Sequence, residues 1–111
     1  MMDNRKSMLP LPAKRALDKL SADIRDARRR RRIPIALMAQ RAGIGRMTLV
    51  RMEQGDPAVS MGAYARVLFV LGLTARLDEL ADASHDATGL AVEEEHLPKR
   101  IRTPRKPKST T

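Results

Sequence analysis

Five residues within six positions, Arg46, Met47, Thr48, Val50 and Arg51, form a group suited to reading a base-pair edge. An arginine fork matches guanine O6 and N7, a methionine can pack on a thymine methyl, and a threonine hydroxyl bonds to a base or a phosphate. At helical spacing, Arg46, Met47 and Val50 cannot all share the face of Leu49 and Met52. Residues 46–54 therefore read as a helix with Leu49 and Met52 in a core and Arg46, Met47, Thr48 and Arg51 turned outward. A helix inserted in a major groove reads bases mainly with its N-terminal residues, which singles out Arg46 and Met47.

Other chemistry is sparse. The run from Arg28 to Arg32 offers phosphate contacts, but five consecutive arginines on a helix cannot all face one way. Arg28 and Arg41 are the basic residues outside 46–54 assigned to DNA. Glu53, at the end of its helix, reads as a salt-bridge partner of Arg28 or Arg41 rather than as a catalytic carboxylate. His85 and His96 are separated by eleven positions and read as solvated, because a metal site needs converging ligands. No nucleophile–base pattern, phosphate-cradling glycine loop or paired carboxylates can be read, so an enzyme and a bound cofactor are not expected.

Charge distribution supports a polyanionic partner. Residues 1–55 hold fourteen Lys/Arg against five Asp/Glu, residues 56–97 two against eight, and residues 98–111 six against none. A basic front, an acidic middle and a basic tail imply segregated surfaces, with nucleic acid at the front. With one Tyr, one Phe and no Trp, the chain lacks the stacking platforms of a single-strand binder. The absence of cysteine fits a reducing cytosol, and a DNA partner would make the chain nucleoid-associated there. No apolar run has the roughly 20 residues of a membrane span, and no signal-peptide core is read.

These side chains need elements to hold them. Residues 1–13 read as a disordered arm and residues 14–84 as an all-α, five-helix domain. Residues 85–111 read as an extension with a short strand at 89–92 and a basic tail at 98–111. Leu17, Leu20, Ile24 and Ala27 make the stripe of a first helix that ends near Pro34. Met38, Ala39 and Ala42 face inward from a second, over 35–42, which Gly43 breaks with a positive φ. Ile44 plugs the turn into the third. Ser60 caps a fourth, over 61–71, and Thr74 a fifth, over 75–83. Val67, Leu68, Phe69, Val70 and Leu71 leave the fourth helix without a polar face, so burial on two sides is expected, with Phe69, Val70 and Leu73 against a twin chain. Leu90, Val92, Leu97 and Ile101 are too apolar for a solvated linker and are assigned to a partner, with Leu90 and Val92 also available to the twin.

The stretch from Ile35 to Gly55, IALMAQRAGIGRMTLVRMEQG, resembles the Xre/Cro–C1-type helix-turn-helix family. The likeness runs without a gap from Leu20 to Leu80 and includes Ile24, Arg28, Ala39, Gly43, Glu53 and Leu71-Gly72-Leu73. Arg32 stands where that family often ends its first helix with glycine, and Pro34-Ile35 where it often has Thr-Gln. The layout after Glu53 resembles HipB-like antitoxins. That likeness implies a lambda-repressor-like fold, a dimer on a double-stranded operator, and autoregulation. It also implies a HipA-type kinase toxin as partner. The competing expectations are a plain Xre-type regulator without a toxin, and an adaptor that binds protein through the same fold.

Overall fold

The computed structural model describes residues 8–92 and 97–104. Every regular element among them is helical, and no strand is present in the described residues. The chain divides after Leu80 into two units. The first carries α1 (Leu11–Arg30), α2 (Ile35–Ala42), α3 (Arg46–Glu53), α4 (Met61–Val70) and α5 (Thr74–Asp78). The second carries a 3-10 turn (Ala83–His85) and α6 (Ala87–Val92). The described residues thus hold six α-helices, five of them in the first unit and the sixth in the stretch expected to be an extension with a short strand.

Helix α1 begins at Leu11, inside the stretch assigned to a disordered arm. Pro10 is its N-cap and Pro12 lies in its first turn, where a missing N–H costs nothing and the ring presets φ. Residues 8–10 carry no regular structure, and the rest of the expected arm, residues 1–7, lies outside the described residues. Lys14–Asp18 and Lys19–Asp23, each 2.6 Å, run along its exposed side.

The core is the joint product of four helices. Ile24 and Ala27 of α1 meet Met38, Ala39 and Ala42 of α2, Leu49 and Met52 of α3, and Ala63, Tyr64, Val67 and Leu68 of α4. Ala39 is 2% exposed, and its small side chain lets α3 pass close over α2. Ser60 caps α4, its Oγ accepting the Ala63 N–H at 3.1 Å.

Four helices close in the same way, with the chain turning through a left-handed residue just past the end. Gly43 (φ 70) ends α2, and the Ile44 N–H reaches back to the Ala39 carbonyl at 3.0 Å. Glycine is needed there because a side chain would be strained, and a Cβ would stand 3.1 Å from Arg66 Nη1. Gly55 and Gly72 do the same after α3 and α4. Arg32, at the end of α1, is the exception. It holds φ 54 with a full side chain, and the Ile33 N–H bonds to the Arg28 carbonyl at 3.2 Å.

Two expectations near the end of the chain are corrected. The fifth helix stops at Asp78 instead of running to 83. Asp78 and Glu79 put negative charge at a C-terminus that already carries partial negative charge, and Asp82 Oδ1 draws the Ser84 N–H (2.7 Å) into a new turn. Residues 89–92 are the last part of α6, not a strand. Asp86 Oδ1 accepts the Gly89 N–H at 2.9 Å in the manner of an N-cap, and the Leu90 N–H closes on the Asp86 carbonyl at 2.9 Å. A four-residue strand without a partner would leave its backbone groups unpaired. Residues 97–104 carry neither helix nor strand, and the end of the expected basic tail, 105–111, lies outside the described residues.

Candidate nucleic-acid interface

Helix α3 is eight residues long, and its two sides differ sharply. Leu49 and Met52 are fully buried and Glu53 is nearly so. Arg46, Met47 and Arg51 are exposed, Met47 by 59%, while Thr48 and Val50 are half-buried. Met47 and Arg51 are one turn apart on this outer side, and Thr48 and Arg51 are neighbours at i, i+3. The structure thus brings Arg46, Met47, Thr48 and Arg51 to one rigid surface, with Gly43 and Gly45 turning the chain into it.

Thr48 and Arg51 share a concavity of about 250 Å3 with Asp56, Ala58, Val59 and Ser60. Asp56 bends the loop that walls it, its Oδ1 accepting the Ala58 N–H at 2.8 Å. The cationic Arg51 head and the Thr48 hydroxyl offer donors to an anion there, and the Asp56 carboxylate in the same wall opposes it.

Arg28 is not available to DNA, which corrects its assignment. It is 7% exposed, and all three guanidinium nitrogens are engaged. Its Nε donates to Glu53 Oε2 at 2.7 Å, Nη2 to Glu53 Oε1 at 2.9 Å, and Nη1 to the Ile33 carbonyl at 2.9 Å. Hydrogen bonding to the Glu53 carboxylate raises its pKa further above the usual arginine value, against the opposing effect of burial. Of the two partners expected for Glu53, Arg28 is the one present.

Arg31 is also structural, a role the sequence reading missed. Its Nη1 donates to the Ala27 carbonyl at 2.8 Å and its Nη2 to the Leu71 carbonyl at 3.0 Å, closing the ends of two helices at once. The signal was its place at a helix end, where orphan carbonyls collect. Arg29, Arg30 and Arg32 remain exposed.

Arg41 is exposed but lines a different concavity, about 340 Å3, with Ala42, Ala65, Arg66 and Phe69 and no side chain of α3. Phe69 is 74% exposed, Val70 and Leu73 are half-buried, and the last two pack on the core. In the second unit Leu90, Val92, Leu97 and Ile101 are all exposed, by 45%, 75%, 72% and 77%.

Two buried hydroxyls are unusual. Ser21 Oγ and Tyr64 Oη are buried, and neither makes a hydrogen bond of good geometry. Burial pushes the Tyr64 phenol above its ordinary value near 10, and the nearby Ser21 hydroxyl opposes that shift without cancelling it.

Comparison of the chain with protein-family models, with curated proteins and with solved structures found no match in any of the three.

Proposed function

We propose that this chain is a sequence-specific repressor of the Xre/Cro–C1 helix-turn-helix type, which lays α3 in the major groove of an operator as a two-fold dimer. One observation carries the reading. A short helix is pinned by Leu49, Met52 and Glu53 on one side and turns Arg46, Met47 and Arg51 outward on the other. A rigid basic face on a short element is what direct base readout requires. Arg46 is the candidate for guanine, Met47 for a thymine methyl, and Thr48 and Arg51 for a base or phosphate. The net charge of +9 adds a general attraction to the polyanion.

The test is affinity for duplex DNA, selected from random sequence, measured as salt is raised. A repressor gives a near-palindromic site and a steep negative slope of log K against log salt, with half-sites about 34 Å apart. A chain that selects no sequence and shows no salt slope is not a DNA reader, which leaves the protein adaptor.

A second element of the reading concerns a protein partner. Val92, Leu97 and Ile101 are largely exposed and Leu90 partly so. With the resemblance to HipB-like antitoxins, this supports a HipA-type kinase toxin bound by the second unit, against a plain regulator that lacks one. Truncation at Ala87 should abolish toxin binding while leaving operator binding by the first unit measurable. Equal toxin binding by the truncated and full chains removes the antitoxin reading.

A further inference from the structure

The geometry points to an open groove between α1, α4 and α5 as the binding site of a small amphipathic anion, an apolar chain that ends in one carboxylate. No side chain of α3 lines this groove, and the site goes beyond the DNA reading without depending on it.

The groove holds about 410 Å3 and belongs wholly to the first unit. A hollow of several hundred Å3, walled mainly by apolar side chains with a few polar groups at its edge, is the usual form of a small-molecule site. Ile24, Ala27, Tyr64 and Leu68 form the floor, and all four are core residues, so the packing of the helices itself shapes the hollow. Leu20, Met61 and Leu80 border it and stand 37%, 62% and 70% exposed. An apolar chain laid on the floor and against these three withdraws their surface from water.

Charge selects the other end of the ligand. The rim carries Asp23, Asp26, Arg30 and Arg76. Both acids already have a cation from α1 itself, Asp23 taking Lys19 Nζ at 2.6 Å and Asp26 lying 3.8 Å from Arg25 Nε. Arg30 and Arg76 make no ion pair among the described residues. The unengaged charge on the rim is therefore positive, and it comes as guanidinium forks, whose geometry matches a carboxylate. A cationic or neutral amphiphile leaves both forks without a partner. A polyanion such as DNA has no apolar body to lay on Leu20, Met61 and Leu80. An apolar chain with one anionic head satisfies floor and rim together.

The probe is decanoate, added below its micelle concentration to the full-length chain. Tyr64 is the single tyrosine and lines the groove, so its fluorescence follows occupancy, while calorimetry gives the stoichiometry. One decanoate should bind per chain, at least about tenfold more tightly than decanol or decyltrimethylammonium. Arg30→Gln and Arg76→Gln should each weaken decanoate about tenfold and leave decanol unchanged. Arg29→Gln, exposed on the same helix but outside the groove, should change neither. Leu80→Gln should weaken decanoate and decanol alike, with circular dichroism showing the helices retained. Absent or unsaturable binding, or equal losses with Arg29→Gln and Arg30→Gln, overturns the site, because a basic chain attracts any anion in general. Decanoate binding that disappears as the chain dimerises also overturns it, a second copy then holding the groove. Operator selection is measured without decanoate, so its failure removes the DNA reading and not this site.

Discussion

The guanidinium of Arg28 and the carboxylate of Glu53 meet edge to edge, with Nε–Oε2 at 2.7 Å and Nη2–Oε1 at 2.9 Å, although 25 residues separate them in the chain. Their side chains are 9% and 7% exposed. The pair joins the C-terminal end of α1 to the last residue of α3, so it holds the candidate reading helix in register with the rest of the core. Buried in this way, each partner depends on the other, because an uncompensated charge in the interior is costly.

Arg28→Ala should therefore destabilise the first unit by about 3–5 kcal/mol, with Glu53→Ala similar. Replacing both together with apolar residues of matching size should cost much less than either single change. Urea denaturation of the four proteins measures the coupling. Additive losses would mean that the two groups do not act as a pair.

Arg32 should be replaceable with profit. Its φ of 54 is costly for a residue with a side chain, and its place in the turn matches that of Gly43. Arg32→Gly should raise stability by up to about 1 kcal/mol, the relieved strain being offset in part by a freer unfolded chain. Gly43→Ala should lower it by about 1–2 kcal/mol. Thermal unfolding of both variants checks the signs, and a loss with Arg32→Gly would show that its side chain stabilises the fold by more than the strain.

Operator recognition should fail differently at the two ends of α3. Arg46→Ala is expected to cost about 1–3 kcal/mol at the specific site and to relax preference at one base pair. Arg51→Ala, if it bonds a phosphate, should weaken all sequences alike and flatten the salt slope by about one. Binding titrations on specific and scrambled duplexes separate the two. Both side chains are exposed, so folding should be unaffected.

Tyr64 makes stability depend on alkaline pH. Its phenol titrates above the ordinary value near 10 in the folded chain because burial disfavours the phenolate. Between those two values the unfolded chain has released a proton that the folded chain still holds, so unfolding is favoured as pH rises. The contribution is complete below the unfolded value and is lost as pH climbs through the folded one. Tyr64→Phe should remove this part of the slope, and because Oη has no partner it should cost little at neutral pH. Ultraviolet titration of the single tyrosine, folded and in denaturant, gives the shift directly.

Local pattern was enough to determine much of this protein. Apolar residues recurring three and four apart, Ser60 as a cap and Gly43 past a helix end each act within one turn of chain, so α2, α3 and α4 could be read with ends correct to about one residue. The same periodicity separated Leu49 and Met52 from Arg46, Met47 and Arg51, because which side of a helix faces inward follows from its spacing alone. Competition between weak local signals was less legible. Pro10 and Pro12 lie in the stretch read as a disordered arm but start α1, and a four-residue alternation at 89–92 yields to the Asp86 cap. What only the tertiary structure decided was which of many like charges is which. Five adjacent arginines are the same to any local rule, yet the crossing of α1 over α3 sinks Arg28 onto Glu53, and the end of α4 comes near enough for Arg31 to bond Leu71. It likewise decided that Leu20 and Leu80 stand exposed while Ile24 is buried, because burial depends on what packs against a residue from elsewhere in the chain.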